Sequence, residues 1–358
     1  MRAIICEQYG GPEVLELVDE VPVPQPGPNG VLVRVHATSV NPLDWKLRAG
    51  YLAPLWNLRF PVIWGADFSG VVEEVGRGVT LWKPGDEVHG FKNGKVAQTF
   101  RGTYAEYAVT PESTLARKPA NISHEEAAAL PVAAMTAWQA VVEQGKVKAG
   151  SRVLIQAAAG GVGVYAVQIA KALGAYVAGT ASTVNQGFLR QLGVDLPIDY
   201  TSEKIEAAIS DYDLVIDGVG NRVWPSSLKV LKPGGRLLTL APALPAPPAG
   251  WIQFMTTVAG GVASGITRTL LSGRRFGLVR VQPRGGDLEK IDALVQTGKV
   301  RPIVGKVYPL EQIADAHRES EAGHARGKLV IRIAEEASVA VEKSSTHQLQ
   351  EHEKPEKH

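Results

Sequence analysis

The sequence predicts an α/β protein in which a doubly wound parallel sheet follows an antiparallel, barrel-like β domain. Three observations lead to this fold class. A glycine-rich turn joins an apolar strand to a helix within residues 154–171, strand and helix patterns alternate from there to residue 282, and short strands separated by Pro and Gly occupy residues 4–109. At 358 residues, the chain is long enough for two such domains.

The glycine-rich turn is the most informative of the three. Leu154–Ile155 is a short buried strand, and the helix after the turn continues to Lys171. Glycines here let the backbone approach a pyrophosphate, and N–H groups at the helix start face the anion. The turn is therefore predicted to bind a dinucleotide in a Rossmann fold, the alternative being an ordinary strand-to-helix turn. The predicted contacts are Gly160, Gly161, Val162 and Gly163.

Five more strands complete the predicted Rossmann sheet. Helical patterns separate them, as a doubly wound parallel sheet requires. They are Ala175–Thr180, Leu196–Asp199, Leu214–Asp217, Arg236–Leu240 and Phe276–Gln282.

The end of the second strand indicates which coenzyme binds. An NAD site usually places Asp or Glu there for the ribose 2′-hydroxyl. Here residues 179–183 read Gly-Thr-Ala-Ser-Thr, and Ser182, Thr183 and Asn185 can donate hydrogen bonds to a 2′-phosphate. We therefore expect NADPH rather than NADH, although these polar residues also suit capping of the next helix.

The β domain precedes the coenzyme domain. Its predicted strands are Ile4–Glu7, Leu15–Val18, Val31–Ala37, Gly70–Val75, Asp86–Gly90 and Tyr104–Val109. Ser123 and Glu126 form a capping box that opens the first helix of the coenzyme domain. The expected boundaries are 1–122, 123–283, a return to the first domain at 284–334, and a charged, disordered tail at 335–358.

Residues 150–171 resemble the signature of the quinone oxidoreductase, or zeta-crystallin, branch of the medium-chain dehydrogenase/reductase superfamily. The resemblance covers nearly all of residues 1–334, with GADFSGVV from Gly65, KPGDEV from Lys83, GTYAEY from Gly102, LPVAAMTAW from Leu130 and GHARGKLVI from Gly323. The last motif is similar to the reticulon-4-interacting-protein-type NADPH oxidoreductases. The family implies a GroES-like β-barrel substrate domain, a Rossmann domain, an active site in the cleft between them, and a homodimer.

Metal ligands typical of the zinc-dependent relatives are missing. Where those enzymes have Gly-His-Glu, this chain has Gly65, Ala66 and Asp67, and their early ligand cysteine is replaced within Asn41–Asp44. We therefore expect a zinc-independent reductase that transfers hydride to a quinone or an α,β-unsaturated carbonyl. The alternatives are an enoyl-thioester reductase and a non-enzymatic NADPH-binding redox sensor or crystallin-like protein.

The resemblance also implies the roles of individual residues. Lys46 and Arg48 are the cations expected near the substrate oxygen, although some quinone reductases carry tyrosine where Lys46 falls. Lys46 is equally well explained as a solvated lysine, and Asp44 could pair with either cation. The expected coenzyme neighbours are Asn41, Thr136, Tyr200, Leu240, Phe276, Val279, His324 and Arg326.

Composition limits the remaining functions. A formal net charge of +2 with interspersed acids and bases predicts no nucleic-acid partner, and the single cysteine, Cys6, predicts a small buried side chain rather than a disulfide framework. The N-terminus lacks a secretory pattern, so a cytoplasmic location is expected. Residues 251–271 are apolar and glycine-rich; we predict a helix over the cleft or at a subunit interface, with weak membrane-surface contact as the alternative.

Overall fold

The computed structural model describes residues 1–55, 58–92, 102–241, 244–323 and 325–334. Two large sheets organise this part of the chain, one of six strands and one of seven, and a pair of short strands forms a third. The strands of the N-terminal region are β1 (Ala3–Ile5), β2 (Glu16–Val18), β3 (Gly30–Val40), β4 (Asp67–Val75), β5 (Glu87–Phe91), β6 (Tyr107–Pro111) and β7 (Leu115–Arg117).

The six-stranded sheet is parallel throughout and confirms the predicted Rossmann-like fold. Its strands are β8 (Arg152–Gln156), β9 (Tyr176–Ala181), β10 (Leu196–Asp199), β11 (Tyr212–Asp217), β12 (Leu231–Thr239) and β13 (Arg275–Leu278). Their order is β10-β9-β8-β11-β12-β13. Strands β9 and β10 are therefore added on one side of β8 and the last three strands on its other side, so the order of the strands reverses between β8 and β11. A parallel sheet with this order binds ligands at the carboxyl ends of its strands near the reversal point.

The seven-stranded sheet combines the N-terminal strands with two from the end of the described chain, β14 (Val304–Pro309) and β15 (Lys328–Arg332). The order is β14-β15-β3-β4-β5-β7, and β6 also pairs with β3. Leu329 of β15 lies opposite Val40 of β3, which brings the C-terminal segment to the end of the long third strand. The segment therefore reaches the same region as the residues that follow β3.

The described residues form ten α-helices, some of which pack on the parallel sheet and others on the seven-stranded sheet. They are α1 (Pro42–Arg48), α2 (His124–Ala128), α3 (Pro131–Trp138), α4 (Gly163–Ala172), α5 (Gln186–Gln191), α6 (Ile205–Ala208), α7 (Trp224–Val230), α8 (Trp251–Leu271), α9 (Gly285–Gln296) and α10 (Ile313–Ala322). The predicted capping box is confirmed, because Ser123 Oγ accepts from Glu126 N over 3.1 Å and Glu126 Oε2 accepts from Ser123 N over 2.9 Å. Two helices, α2 and α3, follow it in place of one.

The long helix α8 packs against β13 at the edge of the parallel sheet. A Cβ added at Gly265 would lie 2.7 Å from Phe276 Cε2, so glycine is needed for this close approach. Several large apolar side chains on the helix remain exposed, among them Ile252 (78%), Leu270 (71%) and Leu271 (85%). In the described residues, no helix is both long and apolar enough to cross a membrane.

Candidate active site

The glycine-rich turn between β8 and α4 has the geometry expected of a pyrophosphate site. A Cβ added at Gly163 would overlap the carbonyl oxygen of Ala157, so no other residue fits there without backbone movement. Ala157 itself adopts a positive φ of 57°. Helix α4 begins at Gly163, so the positive end of the helix dipole lies at this turn.

The C-terminal segment closes one side of this turn. Gly327 N donates to Ala159 O over 3.0 Å, and Gly327 forms a parallel bridge with Gly160. This contact joins the strand that begins at Lys328 to the loop that begins the Rossmann helix. The two sheets therefore meet at the predicted coenzyme site.

Three predicted coenzyme residues come together beyond the end of β9. Asn185 Nδ2 donates to Ser182 Oγ over 3.3 Å, and Arg326 Nε donates to Asn185 Oδ1 over 3.0 Å. The Arg326 guanidinium also lies over the Phe188 ring, 5.0 Å from its centroid. A fixed guanidinium beside two polar side chains suits a phosphate. His324, predicted to act with Arg326, lies outside the described residues.

A carboxylate that the sequence analysis did not identify lies beside this cluster. Asp199 ends β10 directly opposite Ala181, and its carboxylate accepts from the hydroxyls of Thr183 and Thr201, each over 2.6 Å. These hydrogen bonds, that of Thr183 first, hold the Asp199 pKa below its ordinary value, so the carboxylate is charged at neutral pH. The sequence indicated this carboxylate only as the acidic residue that ends the predicted strand Leu196–Asp199.

Tyr200 follows Asp199 and also lies at this end of the sheet. Its N–H donates to Ala181 O over 3.3 Å, and its side chain is 57% exposed. The backbone of Tyr200 is therefore held at the end of β9, and its ring is exposed to solvent.

Asn41, expected near the nicotinamide, lies in a buried polar cluster at the end of β3. Its carboxamide oxygen accepts from Lys328 Nζ over 2.6 Å, and its carboxamide nitrogen donates to Asp67 Oδ2 over 2.8 Å. Its backbone N–H donates to Asp44 Oδ2 over 2.8 Å, which starts helix α1. Both ends of the amide are thus held by charged groups.

Asp67 and Lys328 form a buried ion pair at the centre of this cluster. Lys328 Nζ lies 3.2 Å from Asp67 Oδ2, and the two side chains are only 3% and 0% exposed. Asp67 also accepts from Ser39 Oγ over 2.6 Å and from Val132 N over 2.6 Å. Lys328 was not among the predicted site residues, although it ends the GHARGK motif.

The zinc site of the dehydrogenase relatives does not fit these residues. Asp67, at the position of their glutamate, is already saturated with hydrogen bonds, and the Lys328 ammonium beside it would repel a dication. Within the described ranges, no group of three or more His, Cys, Asp or Glu residues is arranged to hold a metal ion.

Thr136 lies one helical turn after Val132 on α3. Its Oγ1 donates to Val132 O over 2.6 Å, and the residue is 8% exposed. Because Asp67 holds the N-terminal end of α3, the position of Thr136 depends on the same cluster.

The two predicted cations of α1 differ sharply in position. Lys46 is half-buried, its ammonium lies over the Trp45 ring at 5.3 Å, and burial lowers its pKa. Arg48 is 1% exposed and pairs with Glu321 of α10, so it points into the protein rather than towards a substrate. This position does not fit the expected substrate contact of Arg48, because the guanidinium is enclosed between α1 and α10.

Asp44 pairs with neither cation among the described residues. Its Oδ2 accepts from Tyr104 OH over 3.1 Å, and Tyr104 OH is 3.2 Å from His317 Nε2. Burial raises the Asp44 pKa to about 7 and lowers the His317 pKa to about 3. Asp44, Tyr104 and His317 are therefore a buried neutral chain of hydrogen bonds between about pH 3 and pH 7.

Two of the three predicted strand-end residues lie at the carboxyl edge of the sheet. Leu240 N donates to Asp217 O over 2.8 Å, and Val279 N donates to Thr239 O over 3.0 Å. Phe276 is placed differently, because it lies opposite Leu237, two positions before β13 ends at Leu278. Its ring packs edge-on against Trp224 at 5.0 Å, below that edge, so it does not border the nicotinamide as expected.

Two family models match the chain: an alcohol dehydrogenase GroES-like domain at residues 27–120 and a zinc-binding dehydrogenase at residues 192–331. The chain is 34% identical to the mitochondrial NAD(P)H oxidoreductase RTN4IP1 of Danio rerio, over 94% of this chain and 92% of the relative. It is 35% identical to the chloroplastic NADPH-dependent alkenal/one oxidoreductase of Arabidopsis thaliana, over 92% and 79%. A quinone oxidoreductase structure from Coxiella burnetii matches with a TM-score of 0.82 and 37% identity, over 93% and 99%.

Proposed function

Because this chain belongs to the quinone oxidoreductase branch of the medium-chain dehydrogenase/reductase superfamily, we propose that it uses NADPH to reduce a quinone or an α,β-unsaturated carbonyl. The relatives are named as oxidoreductases of quinones and of alkenals and enones. Their shared chemistry is the addition of hydride to a carbon made electrophilic by conjugation.

The preference for NADPH rests on one observation, the convergence of Ser182, Asn185 and Arg326 beyond the end of β9. An adenosine 2′-phosphate carries about two negative charges and three acceptor oxygens, so it favours a guanidinium with neutral donors beside it. Asp199 opposes this preference, because its charged carboxylate lies next to Thr183. The guanidinium and the two donors outweigh one carboxylate that is already occupied by Thr183 and Thr201.

In this reaction the protein binds NADPH and the acceptor, orients them, and stabilises the negative charge that develops on the acceptor oxygen. When bound, NADPH supplies the hydride. Asn41 presents a carboxamide whose orientation is fixed by Asp67 and Lys328. Lys46, whose ammonium is half-buried, donates a hydrogen bond to the oxygen on which negative charge develops.

The reaction needs no zinc ion in this proposal. The carboxylate at the family's metal-ligand motif, Asp67, is paired with an internal ammonium. A fixed positive charge from the chain is already present where a dication would otherwise bind. The name of the second family model, a zinc-binding dehydrogenase, is therefore not carried over to this chain.

The proposal is tested by NADPH oxidation at 340 nm with a benzoquinone, a naphthoquinone, an enone and a crotonyl thioester. Turnover of the quinones or the enone, unchanged after treatment with a zinc chelator, is the expected result. Turnover of the thioester alone would identify an enoyl-thioester reductase. Tight NADPH binding without turnover of any acceptor would favour the redox-sensor alternative.

We also propose that the protein is a homodimer formed through α8 and the open edge of β13. The exposed side chains of Ile252, Leu270 and Leu271 support this choice over the cleft, because they belong to the helix that contacts β13, the last strand of the sheet. A cytoplasmic location remains a prediction, and the relatives named above include mitochondrial and chloroplastic proteins.

A further inference from the structure

The buried ion pair between Asp67 and Lys328 carries a large desolvation free energy. Removing two charges from water is unfavourable by several kcal/mol for each ion, and apolar replacements of such pairs are often neutral or stabilising. Both side chains are nevertheless almost completely buried, at 0% and 3% exposure. The pair is therefore not explained by stability alone, and its contacts suggest what it does.

The pair holds the Asn41 carboxamide at both ends. Lys328 Nζ donates to Asn41 Oδ1 over 2.6 Å and to Val40 O over 3.1 Å, while Asp67 Oδ2 accepts from Asn41 Nδ2 over 2.8 Å. An amide flip would place its oxygen against the carboxylate and its nitrogen against the ammonium. Only one orientation of Asn41 is compatible with both charges.

The same pair joins three separate parts of the cleft. Asp67 Oδ1 accepts from Val132 N, which fixes the start of α3 and, one turn later, Thr136. Lys328 follows Gly327, which is hydrogen-bonded to the glycine-rich turn. A Cβ added at Gly161 would lie 3.2 Å from Lys328 Cδ, so the lysine stem packs directly beneath that turn.

We propose that Asp67 and Lys328 are positioning residues for hydride transfer. They fix Asn41 and Thr136 relative to the glycine-rich turn, so that the nicotinamide ring is held against its acceptor. This inference rests on the proposed function. Hydride transfer needs the reacting atoms about 3–3.5 Å apart, and a misplacement of about 1 Å lowers the rate roughly 100-fold. The adenosine end, held by Arg326 and Asn185, is not affected by the pair.

The test compares single variants with a double variant that removes both charges. Lys328→Met and Asp67→Asn each leave one buried charge unpaired, whereas Asp67→Asn with Lys328→Met removes both charges, keeps an acceptor oxygen for Val132 N, and is expected to melt at a higher temperature than either single variant. Lys328→Arg is the conservative variant. Lys306→Met is the matched control, because Lys306 is an exposed lysine of β14 whose nearest carboxylate, on Glu319, is 3.6 Å away.

Three quantities are measured on each full-length variant: the NADPH dissociation constant by tryptophan quenching, the fluorescence lifetime of the bound nicotinamide, and the single-turnover rate. We expect the double variant to bind NADPH within about threefold of the original chain. Its bound nicotinamide should show a shortened lifetime and a rate about 100-fold lower. Lys328→Arg should recover part of both, and Lys306→Met should change neither.

Recovery of stability, lifetime and rate together in the double variant would overturn the proposal and make the pair purely structural. A larger NADPH dissociation constant in the double variant, with an unchanged nicotinamide lifetime, would also overturn the proposal. If the original chain turns over no acceptor, the proposed function fails, and the lifetime measurement alone still decides whether the pair orients the nicotinamide.

Discussion

Arg326 Nε donates to Asn185 Oδ1 over 3.0 Å, although 141 positions separate the two residues in the chain. The contact links the segment before β15 to the polar residues that follow β9. The side of the coenzyme site that would meet an adenosine phosphate is therefore built by two distant parts of the sequence.

Replacing Arg326 with Ala is expected to weaken NADPH binding about tenfold and to change NADH binding much less. The guanidinium is the cation of the cluster, and a hydrogen bond to a charged group contributes about 1.5–3 kcal/mol. Calorimetric titration with each coenzyme measures the difference. Arg318→Ala, on the exposed face of α10, is the matched control. An equal loss for NADH and NADPH would contradict a role at the 2′-phosphate.

Asp199→Asn is expected to strengthen NADPH binding by about threefold. The Asp199 pKa is lowered by its threonine partners, so the carboxylate is charged at neutral pH and repels a nearby phosphate. The effect should shrink as salt is raised from low to physiological concentration. If the substitution instead weakens NADH binding and leaves NADPH binding unchanged, Asp199 accepts from the ribose hydroxyls and the preference is for NADH.

Lys46→Met is expected to lower kcat about 100-fold while the NADPH dissociation constant stays constant, because one donor to a developing oxyanion is lost. Burial lowers the Lys46 pKa, so the protonated donor is lost at a lower pH than an exposed lysine would lose it. The kcat of the original chain should therefore decline at alkaline pH, and this decline should be absent in Lys46→Met. Lys83→Met, at an exposed lysine, is the control. An unchanged kcat in Lys46→Met would contradict the proposed hydrogen bond from Lys46 to the substrate oxygen.

Asp44 and His317 should contribute opposite pH dependences to stability. The folded Asp44 pKa is raised from 3.8 to about 7, so its contribution is present below the unfolded pKa and is lost as pH rises towards 7. The folded His317 pKa is lowered from 6.5 to about 3, so its contribution is present above 6.5 and is lost as pH falls. Between about pH 4 and 6.5 the two largely cancel, each changing by on the order of 3 kcal/mol.

Asp44→Asn removes the pH-dependent contribution of Asp44 to stability and leaves that of His317. The difference in unfolding free energy between the original chain and Asp44→Asn should fall by on the order of 3 kcal/mol from pH 4 to pH 6.5. Urea unfolding at a series of pH values measures it. A constant difference would mean that Asp44 is ionised in the folded protein throughout this range.

Leu271→Glu is expected to convert the proposed dimer to a monomer. The side chain is 85% exposed at the end of α8, and a carboxylate buried there at the interface would be left unpaired in both subunits. Light scattering after size-exclusion chromatography gives the mass. Leu81→Glu, at a 64% exposed leucine in the N-terminal domain, is the control. A monomeric original chain would contradict the dimer.

Much of the fold was predictable because its signals are local. The strand, glycine turn and helix of the coenzyme site occupy consecutive residues, and the Ser123 capping box spans four. Strand ends were less predictable. β13 stops at Leu278 although apolar residues continue, because its length is set by pairing with β12 and not by its own sequence. Phe276 lies two positions before this end, where its ring packs against Trp224.

By itself, the sequence determined the fold class and the glycine-rich turn between β8 and α4. The tertiary structure decided which charges meet. It enclosed Arg48 against Glu321, brought Asp199 beside Thr183, and paired Asp67 with Lys328 across 261 positions. Local patterns depend on neighbours in the chain, whereas the partner of a buried charge depends on how two sheets pack together, and no short stretch of sequence records that arrangement.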